Sequence, residues 1–521
     1  MSLGDCVINA SNLYSDKIAI LFEDQAWNYQ DLNEITDKIA ASLMKMGVSQ
    51  GDRIAIHLSN CPEIVFCYYA CFKIGAIAVP LNNRLKAPEL EYILNHCQAK
   101  ICISQGDLFG EIQAIQDNLR SVEAYIILRN NSIAANVHNF EELLQQYREE
   151  IEFPKLDASA IAAILYTSGT TARPKGVTHT HKSLLITAAY HSQQTNLSNA
   201  DISGVMLPLC HIFGFALQMI ASLSVGATLV IIPRFEPGLV LQNLQQHGVT
   251  KLYGLPVMYN ALVNYPEVAA YRLDSLQLCF AGGDAVPATL QQRFTQMFGV
   301  EILEGCGMTE VIPYSMNPND AKRLGSIGKA TEGMMLRIVN DKGEDVPQGE
   351  IGEIIVKSEA MMLGYWNQPE ATAAVLKDGW LYTGDLAWMD ADNYYWFVSR
   401  KKEIIVRGGS NISPLEVEAV LYQHPSVKEA AVIGVPNANW GEIVQAFVVM
   451  KSGYAISKIE LKEFMSDRIA AYKVPENIAF LPELPKGLTG KIHRKTLRDW
   501  ATATLPVYSN TVQLRINCRL G

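Results

Sequence analysis

Short apolar runs alternate with helical patterns from residue 1 to about residue 400, and no other feature constrains the fold as tightly. Ala99–Ser104, Ala227–Ile232 and Leu276–Ala281 are examples. Strands that recur with a helix between them lie parallel, and helices cover both faces of such sheets. Two longer apolar runs, Ile64–Leu81 and Ala216–Pro233, approach the length of a membrane span. Lys73, Gly75 and Pro80 interrupt the first, and Gln218, Ser222, Ser224, Gly226 and Thr228 the second. Both read as a buried helix followed by a strand. From about residue 325 the texture changes. Gly and charged residues separate short β pieces such as Leu336–Val339 and Gly352–Lys357, which predicts a small antiparallel sheet or barrel. Past the charged cluster Ser399–Glu403 an α+β pattern follows: a helix over Pro414–Gln423, strands over Glu429–Gly434 and Ala446–Met450, and a helix over Ser457–Arg468. The reading is α/β. A large N-terminal domain over 1–400 has two helix-covered, mostly parallel sheets and a small β-barrel. A boundary falls at 401–403, a smaller α+β domain covers 404–505, and residues 506–521 form a patternless tail.

At 521 residues the chain exceeds one simple core, and 49% hydrophobic residues suffice for two. A net charge of −10 argues against nucleic acid as a partner. Met-Ser-Leu-Gly-Asp at the start lacks the basic and apolar regions of a signal peptide. The ten cysteines form no CxxC pair and no metal-ligand spacing with His. Cys67 and Cys71 share one helical face and read as buried thiols, which suits a reducing cytoplasm.

The densest polar motif is Tyr166-Thr-Ser-Gly-Thr-Thr-Ala-Arg-Pro-Lys-Gly176. Backbone N–H groups freed by Gly, hydroxyl donors and a terminal Lys suit a polyphosphate. The run Ala160–Tyr166 reads as the strand that delivers the loop. It is not a Walker A loop, because Pro174 rather than Gly precedes Lys175. A polar turn is the plainer alternative, and the clustering of Thr, Ser, Gly and Lys favours phosphate.

Four further motifs follow in order. They are Gly305-Cys-Gly-Met-Thr-Glu310, Tyr382-Thr-Gly-Asp-Leu386, the segment Ser399–Glu416 with Arg400, Lys402, Gly408 and Gly409, and Leu484-Pro-Lys-Gly-Leu-Thr-Gly-Lys-Ile-His-Arg494. With the loop they resemble the adenylate-forming superfamily of acyl-CoA synthetases, peptide-synthetase adenylation domains and firefly luciferase. The resemblance runs to about residue 500. It implies that Thr167, Ser168, Gly169, Thr170, Thr171 and Lys175 cradle the ATP phosphates. Thr309 contacts the α-phosphate, and Glu310 holds Mg²⁺, a cation that favours hard oxygen ligands. Gly283, Asp284, Gly305, Cys306, Gly307 and Met308 line the nucleotide, and Asp385 and Arg400 take the ribose. Lys491 is the catalytic cation of adenylation. Lys402 is the hinge about which a mobile C-terminal domain turns, and Gly408 and Gly409 pass close to a pantetheine arm. In Leu209–Gly214, His211 stands at the carboxylate site. Phe213, Gly282, Gly283 and Gly307 shape the acyl pocket with it.

Departures from the family pattern are Ala172 where Gly is usual, Cys306 where an adenine-stacking ring is usual, Ser399 for Gly, and Asp284 for Ala. Asp284 either lies by the nucleotide or caps the helix from Pro287 onward. The resemblance implies an AMP-forming acid–thiol ligase of the cytoplasm. It takes a fatty or aryl acid, ATP with Mg²⁺, and a thiol, CoA by preference or a holo acyl carrier protein. A homodimer is possible in such a family, and a non-catalytic binding relative is the rival reading.

Overall fold

The computed structural model describes residues 1–129, 136–145, 152–167, 173–454, 456–487 and 491–502. The chain divides into two compact units, Met1–Phe397 and Val398–Gly521.

In the first unit two large sheets are built as the alternation predicts. One runs in the order Lys329–Ala330, Val311–Met316, Ile302–Met308, Leu278–Ala281, Lys251–Gly254, Ile202–Val205, Thr228–Ile231, Ile18–Phe22, Gln25–Asn28. Its strands pair in parallel from Ile302–Met308 to Ile18–Phe22, and only the edges are antiparallel. The other runs Gly364–Tyr365, Lys175–Thr180, Ile161–Thr167, Ile77–Pro80, Arg53–His57, Ile101–Gln105, Ala124–Leu128, Val137–Asn139. Every residue of Ile77–Pro80, Ile101–Gln105, Thr228–Ile231 and Leu278–Ala281 is buried. That is why these strands read as unbroken apolar runs rather than alternating ones.

Both membrane-length runs resolve as expected. Pro62–Ile74 is a helix with Pro at its start and Gly75 at φ 73° as its C-cap, followed by the strand Ile77–Pro80. Every helix residue but Glu63 is buried, and the one buried charge, Lys73, pairs with Asp37 at 2.6 Å. The second run begins as a π-helix, Phe213–Ile220, and passes through Ala221–Ser224 to Thr228–Ile231. One continuous apolar core draws side chains from these helices and from both sheets. The smaller sheet of this unit, Met335–Val339, Gly352–Lys357, Trp380–Met389 and Leu376–Lys377, is antiparallel as predicted.

The second unit packs helices Pro414–Tyr422 and Lys458–Ser466 with a sheet ordered Ser410–Ile412, Ile405–Arg407, Gly441–Met450, Val427–Asn437. Asn477–Phe480 adds to Gly441–Met450 in parallel. The two long strands form one hairpin and reach several residues beyond the predicted spans. The nine described cysteines form no disulfide, and Cys67 and Cys71 are buried as expected. Among the described residues no helix is long and apolar enough to cross a membrane. The tail 506–521 lies outside the described residues.

Candidate active site

The polar loop closes a hairpin. Ile161–Thr167 pairs antiparallel with Lys175–Thr180, so Thr167 stands directly opposite Lys175. Ser168, Gly169, Thr170, Thr171 and Ala172 lie outside the described residues. The foot of the hairpin is pinned. Tyr92 donates its hydroxyl to Pro174 O at 3.2 Å, and Arg173 lies 5.4 Å over the Tyr92 ring. Gly176 has no alternative: a Cβ there would meet Ile164 Cγ2 at 2.7 Å and Tyr166 Cζ at 3.1 Å.

The same strand holds the second motif. His179, fully buried, donates from Nε2 to Thr309 O at 2.7 Å, while Ser183 Oγ lies 3.2 Å from Nδ1. Burial pushes the imidazole down to about 4, so it stays neutral and keeps these two roles. Glu310 is joined to the loop through Tyr365. The Tyr365 hydroxyl donates to Glu310 Oε1 at 2.6 Å, and Lys175 Nζ sits 4.5 Å above the centre of the Tyr365 ring. Burial raises the Tyr365 phenol, which therefore remains a donor. One side chain thus spaces an ammonium and a carboxylate, the two charges a metal–phosphate group needs on opposite sides.

Cys306, Gly307 and Met308 lie where Ile302–Met308 turns back into Val311–Met316. A Cβ on Gly305 would meet the Phe280 ring at 2.7 Å, and one on Gly307 would meet Ile312 Cγ1 at 2.7 Å. Close approach by itself favours glycine at both positions. Asp385 is fully buried on Trp380–Met389. Its N–H donates to Thr383 Oγ1 at 3.0 Å, and Thr383 in turn donates to Ile354 O at 2.7 Å.

The candidate acyl wall is aromatic. The Phe213 ring packs edge-on to Phe280 at 5.5 Å and to Tyr253 at 6.4 Å. A Cβ on Gly282 would touch the Phe213 ring at 3.4 Å. His211, half-buried, receives the Phe213 N–H at Nδ1 at 3.4 Å. Glu304, one residue before Gly305, accepts from Val286 N at 3.1 Å and Gly325 N at 3.2 Å. Burial raises its carboxyl to about 7. Asp284 is not the helix cap that one reading expected. The helix is Ala288–Phe298, its N-cap is Pro287, and no side chain caps it. Asp284 is exposed and accepts from its neighbour Ala285 N instead. Asp284 lies three residues before the N-cap position that a capping side chain would need to occupy.

In the second unit Gly408 and Gly409 are the two-residue turn between Ile405–Arg407 and Ser410–Ile412, with φ 55° and 83°. Positive φ at both centres matches the right-handed twist of a tight hairpin. Arg400 ends a strand, and Lys402 follows it in the short 3₁₀ turn Lys401–Glu403. Lys491 is exposed, and its carbonyl receives the Gly487 N–H at 2.7 Å across residues 488–490, which lie outside the described set.

Two family models match the chain. Residues 8–366 match the model of the AMP-binding enzyme, and 416–491 that of the AMP-binding enzyme C-terminal domain. The chain belongs to the AMP-binding enzyme family. A long-chain-fatty-acid–CoA ligase of Bacillus subtilis (strain 168) is 35% identical, with 96% of this chain and 95% of that protein covered. A feruloyl-CoA synthase of an Amycolatopsis species is 34% identical, with 95% and 98% covered. Among solved structures, the anthranilate CoA ligase AuaEII in complex with anthranoyl-AMP superposes with a TM-score of 0.92 at 31% identity, over 96% of this chain and 97% of that one. ATP-bound MatB of Rhodopseudomonas palustris gives 0.88 at 27%, over 96% and 99%. This AMP-binding enzyme is an acid–thiol ligase: ATP-dependent adenylation of an acid precedes thioester formation.

A resident metal cage is absent among the described residues. The buried carboxylate of Glu310 fits Mg²⁺ of the kind held chiefly by substrate phosphates. Tyr365 and Tyr314 of this AMP-binding enzyme escaped the sequence reading. Neither sits in a polar cluster. Their partners lie 55 and 71 residues away, so no local pattern announces them.

Proposed function

We propose that the chain activates an apolar carboxylic acid, aryl or fatty, and transfers the acyl group to CoA, releasing AMP and pyrophosphate. The observation that carries the reading is the Lys175–Tyr365–Glu310 alignment, in which one tyrosine holds an ammonium at its ring and a carboxylate at its hydroxyl. Thr167 and Lys175 grip the outer phosphates of ATP. Thr309 meets the α-phosphate, and Asp385 and Arg400 take the ribose hydroxyls. Glu310 would hold Mg²⁺, which supplies charge neutralisation of the phosphates when bound. His211 borders the carboxylate of the acid. Phe213, Gly282, Gly283 and Gly307 border its acyl part, next to the buried edge-to-face cluster of Phe213, Phe280 and Tyr253. Asp284, exposed, is assigned to the nucleotide with Gly305, Cys306 and Met308.

In the first step the acid's carboxylate attacks the α-phosphorus and pyrophosphate leaves. Negative charge grows on the phosphate oxygens, and the Lys491 ammonium stabilises it more in the transition state than in the ground state. In the second, the CoA thiolate attacks the acyl carbon of the adenylate and AMP leaves. Gly408 and Gly409 give the pantetheine arm a flat passage, and Lys402 is the pivot between the two steps.

The relatives act on long-chain fatty, ferulic and anthranilic acids by their names, and those three define the panel. Pyrophosphate release and thioester formation are measured with each acid, offering CoA against a holo acyl carrier protein. Release with an aryl or fatty acid and thioester only on CoA supports the reading. Release with no acid removes it, and thioester only on the carrier protein replaces the acceptor.

A further inference from the structure

Where the resemblance expects a ring over adenine, this chain places the Cys306 thiol. A ring stands on the neighbouring strand instead. Tyr314 lies on Val311–Met316, whose Ser315 pairs with Cys306, and its side chain is fully buried. The Tyr314 hydroxyl oxygen is 2.7 Å from Asp385 Oδ2 and 2.9 Å from Cys306 Sγ. A phenol has one proton. An ionised carboxylate can only accept, and a charge-assisted bond is the stronger, so the proton points at Asp385. The phenol oxygen is then left to accept from the thiol. Burial, with the carboxylate charge acting in the same direction, raises the Tyr314 phenol well above its ordinary range. The hydroxyl therefore donates throughout the working pH range.

A carboxylate that grips two vicinal hydroxyls must be held at both ends. The main chain holds one end of Asp385. Gly384 turns the strand at φ 72°, its N–H donates to Glu353 Oε1 at 3.0 Å, and Asp385 N donates to Thr383 Oγ1. Tyr314 holds the other. We propose that Tyr314 is a positioning residue of the nucleotide site: its hydroxyl sets the angle at which Asp385 meets the ribose, and with it the preference for a ribonucleoside over a deoxyribonucleoside triphosphate. This rests on the ribose role of Asp385 proposed above.

The test compares full-length wild type, Tyr314→Phe, Asp385→Asn and Cys306→Ala in acid-dependent pyrophosphate release with ATP and with 2′-deoxy-ATP. Phe keeps the ring and removes only the hydroxyl. Tyr314→Phe raises the KM for ATP about tenfold, leaves kcat and the KM for the acid within about twofold, and lowers the ATP-over-deoxy-ATP preference about tenfold. Cys306→Ala keeps the phenol–carboxylate bond and keeps the preference. A merely structural Tyr314 would weaken both nucleotides equally and leave the preference intact, which overturns the proposal. Loss of preference in Cys306→Ala as large as in Tyr314→Phe would move the role to the thiol and overturn it too. If Asp385→Asn abolishes the preference while Tyr314→Phe retains it, the ribose reading stands and the positioning role falls. If Asp385→Asn retains it, the ribose reading itself falls, and the proposal with it.

Discussion

At the scale of single residues, Tyr365 has two separable duties. Its ring faces the Lys175 ammonium and its hydroxyl reaches Glu310. Tyr365→Phe keeps the first and removes the second. The loss of a hydrogen bond to a charged acceptor is worth about 1.5–3 kcal/mol. Much of it falls on Glu310's orientation, so the Mg²⁺ concentration for half-maximal adenylation rises about tenfold while the KM for the acid is unchanged. A magnesium titration of pyrophosphate release reads this directly, and an unshifted midpoint removes Tyr365 from the site. The chemistry-bearing residues were legible in the sequence because their chemistry is local. Thr167 and Lys175 announce themselves inside one short run, as do Thr309 with Glu310. Tyr365 and Tyr314 were not, because a lone tyrosine has meaning only through partners that the fold brings from elsewhere. His179, whose ring fixes Thr309 from 130 residues away, is a third of this kind.

At the scale of elements, strand type was readable and strand register was not. Unbroken apolar runs betray burial on both faces, but which residue stands opposite which depends on long-range pairing. The pairing of Gly364–Tyr365 with Lys175–Thr180 puts Tyr365 beside Val177, and sequence spacing carries no trace of it. The π-helix at Phe213–Ile220 was equally invisible, since its apolar run suits any buried helix. The sequence reading assigns Gly408 and Gly409 to close backbone approach by a pantetheine arm, and the structure gives Gly408 a steric reason of its own. A Cβ on Gly408 would sit 2.9 Å from Trp440 Cε3, on a residue whose φ of 55° already disfavours other side chains. Gly408→Ala therefore distorts the hairpin locally. If the turn serves the pantetheine arm, thioester formation from supplied acyl-AMP slows about tenfold or more, and acyl-AMP formation stays within about twofold, a local backbone strain being worth about 1–3 kcal/mol. Single-turnover assays of the two half-reactions give the comparison, and an equal loss in both would take the pantetheine role away from this turn.

At the scale of the whole molecule, buried titratable groups set how stability responds to acid. Burial lowers His57, His179 and His181 to about 4 and His191 to about 3, against the usual 6.5. Below pH 6.5 the unfolded chain takes protons at these sites that the folded one refuses, so stability falls as pH drops toward 4. Glu304 acts with the opposite sign. Its carboxyl, raised from 4.5 to about 7, keeps a proton in the fold that the unfolded chain releases, and this contribution is present at low pH and lost as pH rises through 7. Four imidazoles outweigh one carboxyl, so the melting temperature falls from pH 6.5 to 4.5. Glu304→Gln steepens that fall by removing the opposing group. A melting series that is flat over this range, or a shallower slope in the variant, would contradict the balance. The proposed mechanism also gives adenylation a residue of the second unit. In that mechanism the Lys491 charge is needed only while phosphate charge develops. Lys491→Ala should slow adenylation about 100-fold or more, the size of losing one preorganised electrostatic contact. Thioester formation from supplied acyl-AMP has no such charge to stabilise and should survive. Equal collapse of the two half-reactions would mean that Lys491 supports the fold or both steps alike, and the division of labour between its loop and the Gly408–Gly409 turn would have to be abandoned.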